Sequence, residues 1–207
     1  MRTERALTPA LAVQEIVATM KNIIAGLSLV CLLASISIAT AESGNVVVED
    51  STVKVNAGSL ELVVPAGFER FLGKPTVPGQ YAYARPYRKG GIAALIQVTY
   101  IDHKALRGTN EADAREAYTE VLIDRLSQMH QKFSSQPPQI VHADALDLLV
   151  TRWDGSQGKN SFSGFLAVGI LGDKIVLGST QDLRVNFDKY LLAYQSSIKS
   201  LRAASSP

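Results

Sequence analysis

The spacing of apolar residues along the chain alternates between the period of a strand and the period of a helix. β-Branched and alternating runs predict strands within residues 45–71 and at 81–85, 92–101, 140–142, 148–153, 162–170 and 174–179. Two of the intervening turns contain Gly-Gly or Gly-Asp, which is typical of hairpins. Because short turns join antiparallel neighbours, the pattern predicts an antiparallel sheet.

Two other segments repeat apolar residues every three or four positions, as one face of a helix does. The first covers residues 110–133, and Thr109 or Asn110 is the candidate N-cap. The second covers residues 186–201 and is followed by a tail, 203–207. We therefore predict a single α+β domain, in which two amphipathic helices cover an antiparallel sheet.

The order of these elements resembles a known fold. The features that carry the resemblance are an early strand closing in Pro65-Ala66-Gly67-Phe68, strand 92–101 leading into helix 110–133, hairpin 162–179, and a closing helix ending in Ser197-Ile198-Lys199-Ser200-Leu201. In them the chain is similar to the PsbP family, named after an extrinsic subunit of photosystem II, and to the DcrB-like exported proteins. A Ran-binding nuclear import factor shares this fold. The resemblance implies a PsbP-like domain with a binding or assembly role rather than a catalytic one.

The segment 20–41 has the organisation of a cleavable signal peptide. Lys21 precedes an apolar run, and Ala39-Thr40-Ala41 provides the small residues that signal peptidase requires. We predict cleavage after Ala41, with Glu42 as the mature N-terminus, and translation from Met20 with residues 1–19 as an upstream extension. An uncleaved membrane anchor is the alternative. Residues 42–207 then form the folded domain, which is periplasmic or extracellular and has no membrane span.

The composition argues against one class of partner and against cysteine chemistry in the mature domain. A net charge of +2 over 207 residues gives no strong electrostatic field, which argues against a nucleic-acid partner. The single cysteine, Cys31, lies inside the predicted signal peptide. The mature domain consequently has no disulfide and no thiol nucleophile.

Motifs for catalysis or metal binding are not found in the sequence. The three histidines, His103, His130 and His142, have no ligand spacing, and neither a Gly-x-Ser-x-Gly nucleophile motif nor a phosphate-binding loop occurs. We therefore predict a protein that is not an enzyme and has no cofactor and no metal. The alternative is an exported enzyme of the hydrolase type, whose site is assembled only on folding.

One cluster of aromatic and cationic residues suggests a partner surface. Tyr81, Tyr83, Arg85, Tyr87, Arg88 and Lys89 lie within nine residues on one strand and its turn. Tyrosine beside arginine or lysine is typical of protein interfaces, so these six residues are the candidate partner-binding site. This role requires exposed tyrosine rings, and the alternative is that the rings cover the edge of the core.

The function predicted from the sequence is that of an exported, non-catalytic binding or assembly protein of the cell envelope. Its expected partner is an envelope protein or complex.

Overall fold

The computed structural model describes residues 52–57, 60–70, 79–86, 92–102, 110–143 and 146–203. The strands are β1 (Thr52–Ala57), β2 (Leu60–Pro65), β3 (Glu69–Arg70), β4 (Gln80–Pro86), β5 (Ile92–Asp102), β6 (Gln131–Ser135), β7 (Gln139–Ala143), β8 (Leu146–Gln157), β9 (Asn160–Leu171), β10 (Lys174–Leu183) and β11 (Arg202–Ala203). The helices are α1 (Glu111–Met129), α2 (Arg184–Lys189) and α3 (Leu191–Lys199).

Eight of the described strands form one large antiparallel sheet. Its order is β3-β4-β5-β10-β9-β8-β6, and β7 also pairs with β8, along the N-terminal half of that strand, whereas β6 pairs with the C-terminal half. The long hairpins β8–β9 and β9–β10 occupy its centre. A second sheet of three strands has the order β1-β2-β11. The antiparallel α+β architecture predicted from the sequence is thus present.

Helices cover both faces of the large sheet. On β9, Phe165 and Ala167 contact the cluster that includes α2, α3 and β2, whereas Leu166 and Val168 pack towards α1. This alternation follows from the two-residue period of a strand, which sends successive side chains to opposite faces. The prediction of two covering helices was incomplete, since the described residues form three helices and the small sheet shares one face with α2 and α3.

The long helix begins as predicted and ends earlier than predicted. Asn110 is the N-cap, and its Oδ1 accepts a hydrogen bond of 2.9 Å from the Ala112 backbone N–H. The helix stops at Met129, and Phe133 lies in β6. There its ring stacks on Trp153 of β8, with the centroids 6.4 Å apart. In the sequence the apolar stripe of the helix runs on to Phe133. This residue is apolar because its side chain packs in the cluster beside α1, but it reaches that cluster from a strand.

The closing helix is interrupted at Tyr190. With φ −105° and ψ 19°, this residue ends α2 and precedes α3. After α3, Arg202 and Ala203 form β11 against β2, so Ala203, the first residue of the predicted tail, lies in a strand. Residues 204–207 lie outside the described residues. Phe187, Tyr190 and Tyr194 enter the core together from the two sides of this break. Each such buried ring contributes about 1.5–3 kcal/mol relative to an exposed one.

His130, the C-cap of α1, is buried against aromatic rings. Its ring lies 4.9 Å from that of Trp153 and 6.1 Å from that of Phe162, and neither ring nitrogen has a hydrogen-bond partner. A Cβ on Gly155 would approach the Cβ of His130 to 2.7 Å, so only glycine fits beneath it. Burial lowers the pKa of His130 from its ordinary value of 6.5.

This burial predicts a loss of stability in mild acid. The folded state disfavours the imidazolium, so the stability present above pH 6.5 decreases as the pH falls from 6.5 towards the lowered pKa, by up to about 1.4 kcal/mol per pH unit. We expect His130→Phe to flatten the free energy of unfolding between pH 7.5 and 5.5, measured by urea denaturation. Phe133→Leu, which changes the same aromatic cluster and keeps His130, is the control and should keep the slope. An unchanged slope in His130→Phe would contradict this prediction.

Candidate functional site

Tyr81 and Tyr83, the two described tyrosines of the predicted partner-binding cluster, pack against the core. Tyr83 is buried among the residues beneath α2 and α3, which removes it from the candidate surface. Tyr81 is partly buried and stacks on Tyr100 with the ring centroids 6.1 Å apart. Tyr81 and Tyr83 project from the same face of β4, and that face packs against the core. Tyr83 does not meet the requirement for an exposed ring, because its side chain packs in the core.

Arg85, from the same face of β4, is held in a buried network. Its Nη2 donates to Oδ2 of Asp182 at 2.9 Å, and its guanidinium lies 4.5 Å from the centre of the Tyr190 ring. It also approaches the ring of Phe68 at 5.6 Å. The other members of the cluster, Tyr87, Arg88 and Lys89, lie outside the described residues, and their role stays a prediction.

Asp182 is the centre of this network. Its side chain is 0% exposed, and Oδ2 accepts a second hydrogen bond of 2.7 Å from the Tyr194 hydroxyl. Oδ1 accepts from the Leu183 backbone N–H, also at 2.7 Å. Burial raises the pKa of Asp182, and the neighbouring Arg85 opposes that rise. The network links β4, β10 and α3, and therefore fixes the helices on the sheet.

A groove of about 300 Å³ opens on the same face, between α3 and strands β7 and β8. Apolar side chains from four elements line it: Val141, Val150, Phe165, Leu191 and Ile198. Polar amides border them at Gln136, Gln139 and Gln195, and two cations, Arg152 and Lys199, complete the lining. The described lining residues include no carboxylate, imidazole or hydroxyl group. Chemically, the groove can bind apolar groups and attract anions.

Arg152 is oriented by two contacts. Its Nη2 donates to Oδ1 of Asp188 at 2.7 Å, and its guanidinium lies 5.4 Å from the centre of the Phe187 ring. Since Asp188 is 52% exposed, solvent weakens this ion pair. The pair repeats the arrangement of Arg85 and Asp182 in a more exposed place.

Sequence reasoning missed the groove residues because they come from separate segments. Gln139 and Val141 come from β7, Arg152 from β8, and Gln195 and Lys199 from α3. One signal was present in the sequence. Arg152 follows Val150 by two residues in one strand, so their side chains share a face, and a cation stands on a face that also carries Leu148 and Val150.

A smaller apolar cavity of about 80 Å³ lies on the opposite face, beside α1. Leu122, Leu126 and Met129 of the helix face Leu166 and Leu177 of the sheet there. Its volume is below the range of typical small-molecule pockets, so the larger groove is the better candidate site.

Other chemical groupings are limited within the described ranges. His142 and Asp147 face each other across the β7–β8 hairpin, with Nδ1 and Oδ1 2.7 Å apart, at an exposed position. Within these ranges no three histidine, cysteine or carboxylate side chains come together as a metal ion would require. None of the described helices has the length and apolar character needed to cross a bilayer.

Comparison with known proteins identifies the fold. No protein-family model matches the sequence, and no curated protein sequence matches it. Among solved structures, cyanobacterial PsbP (CyanoP) from Synechocystis sp. PCC 6803 is similar with a TM-score of 0.55 and 13% identity, over 80% of this chain and 99% of that one.

Two further structures agree with this assignment. LpqN of Mycobacterium tuberculosis, which is involved in cell envelope biogenesis, has a TM-score of 0.53 and 9% identity over 75% of this chain and 91% of its own. The Ran-binding protein Mog1p of Saccharomyces cerevisiae has a TM-score of 0.50 and 14% identity, over 76% and 96% of the two chains. At these identities the likeness concerns the fold, and the chain has the PsbP-like fold.

Proposed function

We propose that this chain is an exported, non-catalytic binding or accessory protein of the cell envelope that docks onto a protein partner. The observation that carries the proposal is the groove between α3 and strands β7 and β8, which combines an apolar floor with amides and cations. Such a surface suits recognition, since apolar area supplies affinity and polar groups supply orientation. The roles of LpqN in envelope biogenesis and of Mog1p in binding Ran support a binding function on this fold.

The chemistry of the groove favours binding over hydrolysis. A hydrolase needs a nucleophile or a general base within reach of its substrate, and the described lining residues offer no carboxylate, imidazole, hydroxyl or thiol for either role. Asp182, whose pKa is raised by burial, is fully enclosed and accepts hydrogen bonds at both oxygens. Its arrangement is that of a structural ion pair.

Export is the part of the proposal that rests on residues 20–41. We expect protein isolated from the envelope fraction to begin at Glu42, as read by N-terminal sequencing. We also expect it to migrate on native gels as a complex larger than the 22.3 kDa of the whole chain. Recovery from the cytoplasm with Met1 or Met20 intact would overturn export. Migration as a free monomer from gently solubilised envelopes would argue against a stable partner.

A further inference from the structure

We propose that the groove binds an extended, acidic segment of a partner polypeptide, in which two carboxylates flank apolar residues. The inference rests on the proposed function and adds the chemical class of the partner. It is drawn from the charge of the groove, its length, its amide-bearing border and the exposed apolar residue beside it.

The charge of the groove is one-sided. Arg152 and Lys199 are its charged lining residues in the described structure, and both are cations. Asp188 accepts from one nitrogen of Arg152, which leaves other donors of the guanidinium. Because the whole chain carries only +2, this pairing of cations is a local feature. A ligand with carboxylates complements it.

The two cations lie towards opposite ends of the groove. Leu191, the first residue of α3, and Lys199, the last, lie about 12 Å apart along the helix axis. Arg152 is anchored near the start of this helix through Asp188 and Phe187 of α2. An extended chain covers about 3.3 Å per residue, so acidic residues separated by two others span about 10 Å. A single-headed amphiphile would engage only one of the cations.

The glutamines distinguish a peptide from an acyl chain. Gln136, Gln139 and Gln195 line the groove beside its apolar floor, and each side-chain amide offers both donors and an acceptor. Backbone N–H and C=O groups of an extended peptide match this mixture, whereas an acyl chain would make no hydrogen bond to these amides.

An exposed leucine extends the apolar floor. Leu192 is 76% exposed and lies three and seven residues before Gln195 and Lys199, which places the three side chains on one face of α3. A large apolar side chain at such a position gains from being covered by a partner. It therefore continues the contact surface beyond the groove itself.

Fluorescence anisotropy with defined peptides tests the proposal on the purified protein. The probes are fluorescein-labelled hexapeptides in which two glutamates flank two varied apolar residues, and the matched set carries lysines in place of the glutamates. We expect binding of acidic members only, weakened by added salt. Lys199→Gln should weaken it about tenfold, the effect of losing one charged hydrogen bond. Lys159→Gln, an equal charge change in the β8–β9 turn, should leave it unchanged.

Arg152→Gln provides a second variant, and Leu192→Ser a third that changes no charge. Circular dichroism establishes that each variant is folded before binding is compared. Absence of binding by every acidic peptide, equal binding of the lysine set, or full affinity in Lys199→Gln and Arg152→Gln would overturn the inference. Binding of decanoate in place of the peptides would assign the groove to an acyl chain and also overturn it. If a protein partner is still found in cells, the proposed function survives such a failure.

Discussion

Ile198→Asp is expected to unfold the described domain in one cooperative transition. Ile198 is 4% exposed, in the cluster that joins α3 to β2 and the large sheet. An aspartate there would bury an unpaired carboxylate, at a cost of about 3–5 kcal/mol, a large share of the stability of an ordinary domain. Urea denaturation followed by circular dichroism measures the change in the free energy of unfolding.

Leu192→Asp is the matched control on the same helix. Leu192 is 76% exposed, so its replacement should change the free energy of unfolding by no more than about 0.5 kcal/mol. Near-equal stabilities of the two variants would show that α3 is not packed on the core. Two separate transitions in the unmodified protein would argue against a single cooperative unit.

Asp182→Asn should produce the second large loss of stability. The amide cannot neutralise Arg85. If its oxygen keeps the hydrogen bonds from Arg85 and Tyr194 at the Oδ2 position, its NH2 group meets the Leu183 N–H, so two donors face each other at the Oδ1 position. We expect a cost of about 3 kcal/mol, the lower end of the range for breaking a buried ion pair, because the Arg85 side chain retains some contact with solvent. The measurement is again the free energy of unfolding in urea.

The second arginine–aspartate pair supplies the comparison. Arg152 and Asp188 are separated by a similar distance, but Asp188 is half exposed, so Asp188→Asn should cost at most about 1 kcal/mol. If Asp182→Asn were as mild as Asp188→Asn, the buried network would not be what fixes α2 and α3 on the sheet.

Much of the sheet could be predicted from the sequence, because its strands follow a local pattern. The hairpins around β9 combine β-branched alternation with turn residues, and both signals act over a few residues. The start of α1 was likewise local, since Asn110 satisfies the helix N-terminus through its own side chain.

The errors arose where long-range contacts decided the structure. Phe133 continues the spacing of a helix, but pairing of β6 with β8 places it in a strand. Tyr190 fits the closing helix by its spacing, and its ring does pack in the core, but its backbone leaves the helical conformation and separates α2 from α3. Which face of β4 is covered decides whether Tyr83 is a surface or a core residue, and the pattern of one strand does not contain that information.

The groove could not be predicted from the sequence for the same reason. It exists only when α3 lies over β7 and β8, which are separated from it by more than thirty residues of the chain. The cluster of residues 81–89 is visible in the sequence because its aromatic and cationic residues are neighbours along the chain. Arg152 and Lys199 are far apart in the sequence, and the fold brings them to one groove.

Site-specific photocrosslinking in living cells tests most directly whether the groove docks a protein. A photoreactive phenylalanine derivative placed at Leu192 would lie beside the groove, and the same group at Val185 on α2 would serve as the control. Both positions are 76% exposed, so they are equally accessible in the free protein. The account predicts a discrete crosslinked protein from position 192 that is absent or much weaker from position 185. Equal crosslinking from both positions, or none from position 192, would contradict it.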